Sequence, residues 1–234
     1  MRDTNSTYAK KNDPSDAASV LTILRAFLPD QPLSLDRALL IAERQAERLL
    51  GLRGVTSVPV PVAVVTGLPR ITVDRDPSLP RHAASGCSHW DNERRCWIIS
   101  INPEEPETRQ RFTILHEYKH IIDHYHPGLS RRLPTTVYGL PPAEYAAEYF
   151  AGCVLMPGRW VKAAFYHGIQ QPNELAAMFA VSPRAMEVRL SQLGLSEPPA
   201  QRVSMSPGYR LQPRRRYYRP LSLSRKPTPA QEVM

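Results

Sequence analysis

Phe112-Thr113-Ile114-Leu115-His116-Glu117-Tyr118-Lys119-His120-Ile121-Ile122-Asp123-His124 constrains this chain more than any other stretch. No Gly or Pro interrupts it from Arg109 to His126. Apolar Phe112, Leu115, Ile121 and Ile122 flank the histidines, so a helix of about 15 residues is expected, one face in a core and one on a cleft. On such a helix the H-E-x-x-H spacing sets His116 and His120 one turn apart on the same face. Both imidazoles can then reach one metal ion, with Glu117 beside them. Three fixed positions in five recur by accident in roughly one chain of this length in a hundred, so the neighbouring residues must decide. The rival is a buried helix whose histidines are merely hydrogen-bonded.

A chain of 234 residues with 42% hydrophobic content can bury one good core with a small appended unit. Cys87, Cys96 and Cys153 are odd in number and lack C-x-x-C spacing, which argues against a disulfide framework and against a thiolate zinc site. A reducing, cytoplasmic setting is expected. Met1 to Thr7 are polar without the apolar stretch of a leader, and the longest apolar runs are broken by Pro59 and Pro61 or by Arg25. Neither export nor a membrane anchor is expected. The net charge of +8 sits mostly at one end: Pro198 to Met234 holds eight basic residues against Glu232 alone. The basicity therefore belongs to a tail, and the rest of the chain is close to neutral.

Residues 1–14 are polar, and a disordered N-terminus is expected. Helices are expected from Ala17 to Phe27, ended by Pro29, and from Leu35 to Leu50, with Ser34 as N-cap and Gly51 just past the end. Val-, Ile- and Pro-rich segments follow from Gly54 to Asp76, with Ile71-Thr72-Val73 a short strand candidate. Gly86 to Trp90 and Arg95 to Ile101 flank Asp91-Asn92-Glu93-Arg94 and read as a β-hairpin leading into the key helix. Pro127 to Pro142 reads as a long loop. Helices then follow over Ala143–Met156, Arg159–Tyr166, Asn173–Phe179 and Pro183–Leu193.

Two histidines do not hold zinc firmly, because catalytic sites supply three protein ligands and leave a fourth position open. The expected helix from Ala143 is otherwise apolar yet carries Glu144 and Glu148 one turn apart. Carboxylates on a largely apolar helix require a partner, and a metal or a metal-bound histidine would serve. An exposed stripe with both glutamates in water is the competing reading.

The blocks Phe112 to His120, then Glu144-x-x-Ala147-x-x-Phe150-Ala151-x-x-x-Leu155-Met156-Pro157, then Leu175 to Met186 with Arg189-Leu190 and Leu193-Gly194-Leu195, resemble the ImmA/IrrE family of metallo-endopeptidases. The likeness covers roughly Leu35 to Leu195, and three blocks in order make it specific. It implies an α+β fold: a compact zinc-peptidase core of the gluzincin type, with a small antiparallel sheet packed on the H-E-x-x-H helix and a helix-turn-helix-like unit after it. It also implies one zinc ion per chain held by His116, His120 and Glu144, with Glu117 as general base. Glu148 falls where the family more often has Asn or Asp, and a role orienting a ligand histidine through its free ring N–H is the reading for it. The commoner His-Glu-Leu-Gly-His is replaced at Tyr118 and Lys119, and the long stem of Lys119 is expected to turn to solvent, altering the surface only. Tyr125, His124, His126 and Tyr138 are candidates for steadying an oxyanion.

The expected organisation is 1–14 disordered, 15–170 zinc metallopeptidase domain, 171–196 helix-turn-helix-like unit and 197–234 basic Pro/Arg-rich disordered tail. The second helix of that unit is expected to expose Arg184, Glu187 and Arg189, a mixed-sign set poor for phosphate, so packing or partner docking is preferred over DNA reading. The tail, with Arg214-Arg215-Arg216-Tyr217-Tyr218-Arg219, suits weak nucleic-acid contact or plain solubility. Two function classes follow. One is a cytoplasmic zinc endopeptidase acting on a protein substrate, a DNA-binding repressor being the class the resemblance implies. The other is a non-catalytic regulator that keeps the fold to bind a protein or DNA.

Overall fold

The computed structural model describes residues 14–31, 33–79, 86–124 and 142–196. Residues 1–13, 32, 80–85, 125–141 with Tyr125, His126 and Tyr138, and 197–234, over which an N-terminal segment, a long loop and a basic tail are expected, lie outside the described residues.

The chain opens with α1 (Pro14–Arg25), which starts on a proline and closes in tight turns, Leu28 N–H donating to the Arg25 carbonyl at 2.9 Å. The helix therefore runs earlier than the expected Ala17–Phe27, since Pro is tolerated where a helix N–H has no partner to lose. The next helix, α2 (Leu35–Leu52), has the expected Ser34 cap, whose hydroxyl accepts the Arg37 N–H at 3.4 Å. Gly51 does not end it. The left-handed residue is Gly54 (φ +62°), where Val55 N–H reaches back to the Leu50 carbonyl at 3.0 Å. Ala38, Ile41, Ala42, Ala46, Leu49 and Leu50 form its buried stripe. Buried Gln45 donates to the Leu24 carbonyl at 2.9 Å and ties α2 to α1.

After a single-turn helix α3 (Ala63–Thr66), the strands β1 (Ile71–Arg75), β2 (Gly86–Asp91) and β3 (Cys96–Ile101) form one sheet in the order β1-β3-β2. The hairpin β2–β3 is antiparallel as expected, with Ser88 opposite Ile99. Its turn is fixed by the Asp91 carboxylate, which accepts the Glu93 and Arg94 N–H groups at 2.8 and 3.0 Å. β1 pairs with β3 in parallel, Ile71 opposite Trp97, so the sheet is mixed and not wholly antiparallel. The physical reason is the crossover: the chain leaves β1, enters β2 at the far edge, and returns through the centre. β3 is buried along its whole length, as a near-continuous apolar run demands.

The key helix α4 (Glu107–Asp123) lies across this sheet. It is followed by α5 (Pro142–Leu155), which packs between α2 and α4, then by α6 (Gly158–Tyr166), α7 (Pro172–Phe179) and α8 (Pro183–Gln192). Leu175, Phe179, Met186 and Leu190 of the last pair share one buried cluster with Leu49, Ile99, Leu115 and Phe150. The turn between α7 and α8 places Ala180 in the left-handed region (φ +51°), and Ser182 caps α8 by accepting the Ala185 N–H at 3.2 Å. Arg189 departs from the expectation that α8 exposes it beside Arg184 and Glu187. It is 1% exposed, donates to the Met156 carbonyl at 3.0 Å, lies 3.9 Å from Glu43 and stacks over Tyr149. Its guanidinium stitches α8 to the end of α5 and to α2. Arg184 and Glu187, paired at 3.2 Å, stay on the exposed side as expected.

Candidate metal centre

α4 carries the first two donors because its buried face, with Ile114, Leu115, Tyr118, Ile121 and Ile122, leaves His116 and His120 together on its half-buried side. The helix end is held by a residue that sequence patterning did not flag. Arg25, at the end of α1, donates to the Ile121 and Ile122 carbonyls at 2.8 and 3.2 Å, satisfying acceptors that a helix C-terminus leaves open. The first turn of α5 brings in Glu144.

The three donors meet. His116 Nε2 lies 3.1 Å from His120 Nε2 and 3.2 Å from Glu144 Oε2, and His120 Nε2 lies 3.5 Å from Glu144 Oε1. Tetrahedral bonds of about 2.0–2.1 Å put neighbouring ligand atoms roughly 3.3 Å apart. The observed spacings bracket that edge, so the donor set fits one zinc-sized ion. Among the described residues these three are the group of metal-type ligands so gathered. Their side chains keep 12%, 24% and 23% exposure, which leaves room for a further ligand.

The three groups also act on one another's charges. Burial favours neutral His120, but the hydrogen bond and charge of Glu144, with Glu117 and Asp123 behind it, outweigh burial and raise its pKa. Burial likewise opposes an ionised Glu144. The hydrogen bonds and charges of the two histidines prevail and hold its carboxyl far below the ordinary carboxylate range. An anionic oxygen thus faces two imidazole nitrogens, a combination suited to a borderline divalent cation.

Glu117 points to the sheet side. It is 5% exposed, and its Oε2 accepts the Ser88 hydroxyl of β2 at 3.1 Å. Close packing makes this reach possible: a Cβ on Gly86 would stand 2.4 Å from Thr113 Cγ2, 2.9 Å from the Ser100 carbonyl and 3.4 Å from Glu117 Cγ. Only glycine lets β2 sit so near α4. Glu148 is half-buried one turn beyond Glu144, outside the three-donor group. His124, a candidate for the oxyanion role, caps α4 with its ring edge-on to Trp97 at 4.8 Å.

Tyr118 and Lys119 correct the expectation of an altered surface, since they are 0% and 1% exposed. Tyr118 packs against Phe150 in the core, and burial pushes its hydroxyl's pKa up. The Lys119 stem cannot turn to solvent because α4 is enclosed there. Its ammonium is instead neutralised one turn on by Asp123, 2.7 Å from Oδ2.

Residues 81–191 match the family described as Peptidase_M78, IrrE N-terminal-like domain. No curated protein matches the chain. A solved structure described as a Mycobacterium tuberculosis transcriptional regulator is similar at 20% identity and a TM-score of 0.47, over 74% of this chain and 51% of that one. The chain thus spans about half the length of that protein. The matched stretch contains the H-E-x-x-H helix, Glu144 and Ser88, and over it the chain is similar to the ImmA/IrrE family.

Proposed function

We propose that this chain is a zinc-dependent endopeptidase that hydrolyses a peptide bond in a protein partner, with a helix-turn-helix repressor as the substrate class and the cytoplasm as the setting. The observation that carries the reading is the meeting of His116 Nε2, His120 Nε2 and Glu144 within 3.1–3.5 Å, next to a buried carboxylate at Glu117. A pure binding module has no use for that fourth group. No helix among the described residues is long and apolar enough to cross a membrane.

His116, His120 and Glu144 would hold the ion, which when bound supplies a Lewis acid and a water acidified toward neutral pH. Glu117 acts as general base. Its Oε1, the oxygen not engaged by Ser88, takes the water's proton and later delivers it to the leaving amine. Burial of Glu117 keeps bulk water from competing for that proton. The buried apolar face of α4 fixes the helix, and Arg25 anchors its end, so the base and the three donors stay in register.

The test is Glu117→Gln, which keeps the volume and loses the base. Zinc content and partner capture should match wild type while cleavage of the captured repressor falls at least about a hundredfold. Undiminished biological output from that variant would sink the peptidase reading and leave the regulator that binds without cutting.

A further inference from the structure

The hydroxyl of Ser88 has no place in the sequence motif, yet it contacts the one carboxylate on which the proposed chemistry turns. Gly86 and Ser88 are alternate residues of β2, and both meet α4: the first by lacking a side chain where Thr113 and Glu117 approach, the second by its hydroxyl. The antiparallel pairing of Ser88 with Ile99 holds the strand in a fixed register on the buried β3. Ser88 Oγ lies 3.1 Å from Glu117 Oε2 and 3.5 Å from the Glu117 carbonyl.

We infer that Ser88 is a positioning residue for Glu117: its hydroxyl pins Oε2 and thereby aims Oε1 into the cleft beside His116 and His120. The inference rests on the peptidase reading. The terminal torsion of a glutamate is broad and two-fold, so an unpinned carboxylate samples many planes. A hydrogen bond of 3.1 Å from a strand held in register restricts that freedom, and Glu117, only 5% exposed, has little water to supply a substitute. Ser88 is the side chain that donates to Glu117 among the described residues. A hydroxyl also suits a group that gains and loses a proton, because it can donate to the ionised form and still rotate when Glu117 carries hydrogen.

The test uses full-length chain loaded with zinc and acetohydroxamate, a bidentate zinc ligand with donors of its own for an acceptor beside the metal. Zinc stoichiometry is read by elemental mass spectrometry and hydroxamate affinity by calorimetry, for wild type, Ser88→Ala, Ser88→Thr, Glu117→Ala and the Ser88→Ala/Glu117→Ala double variant. Partners outside the ligand shell typically shift metal-site function about ten- to a hundredfold. We expect zinc retained throughout, hydroxamate affinity about tenfold weaker in Ser88→Ala, near wild type in Ser88→Thr, and no further loss when Ser88→Ala is added to Glu117→Ala. Ser88→Cys, which keeps the volume and weakens the donor, replaces Ser88→Ala if that variant does not fold. Wild-type affinity in zinc-loaded Ser88→Ala, or a loss that persists without Glu117, overturns the positioning role alone. A wild-type chain that takes up no zinc overturns the peptidase reading and takes the Ser88 role with it.

Discussion

Asp123→Ala leaves the Lys119 ammonium in the core without the carboxylate that neutralises it among the described residues. Lys119 is 1% exposed and Asp123 8%, and the two meet within one turn of α4. Removing one partner of a buried pair costs about 3–5 kcal/mol, because the survivor keeps its desolvation penalty and loses the compensating charge. For a chain of this size roughly 2–4 °C of Tm accompanies each kcal/mol, so metal-free protein should melt roughly 6–20 °C lower. Lys119→Met should cost less, since it leaves the better exposed partner on the last helical turn. The double variant Lys119→Met/Asp123→Leu should return to within about 1 kcal/mol of wild type, as replacing a whole buried pair by packed apolar groups often does. Thermal and urea unfolding followed by circular dichroism, on EDTA-treated protein, gives the full cycle. A loss below about 1 kcal/mol for Asp123→Ala would mean that the ammonium reaches water and that the burial argument is wrong.

Zinc content should fall from one per chain to a small fraction in Glu144→Ala and stay near one in Glu148→Ala, read by elemental mass spectrometry; the reverse pattern would exchange the two glutamates. In metal-free protein, the contribution of the raised His120 is complete below 6.5 and lost as pH rises through its folded value, whereas that of the depressed Glu144 is present above 4.5 and lost on acidification. Their joint contribution should therefore be largest between those values, and Glu144→Gln should lower the melting temperature most there while flattening its fall on acidification below 4.5 and as pH rises above 6.5. Cys153 is 3% exposed, and burial pushes its thiol up to about 11, while Cys87 is exposed. Native protein at pH 8 should react with a thiol reagent at Cys87 and spare Cys153 until unfolded. Gly86→Ala forces a methyl against Thr113 and the fixed Ser100 carbonyl, so about 1–3 kcal/mol of stability should be lost, with no rescue from Thr113→Ser because the backbone contact remains.

Much of the site was legible in the chain. H-E-x-x-H on a helix needs only the 3.6-residue period to align His116 with His120, and a lone pair of carboxylates on an apolar helix advertises that Glu144 or Glu148 has a partner. Ser34 and the Asp91 turn are likewise local chemistry, decided within a few residues. Boundaries slipped where local signals were ambiguous. Gly51 can sit inside a helix as well as after one, and only the φ of Gly54 shows where the left-handed residue lies.

What the sequence could determine by itself was periodicity, capping and motif spacing, because these depend on neighbours along the chain. What only the tertiary structure decided was which surfaces meet. The parallel pairing of β1, the burial of Lys119 and Arg189, the Arg25 clamp on α4 and the contact of Ser88 with Glu117 join residues far apart in the chain, except that Lys119 has its partner one turn away. A charged side chain carries no mark in sequence of whether it will find water or a counter-charge. That choice falls to the packing of α4 against the sheet and α5, which also brings Glu144 to the two histidines.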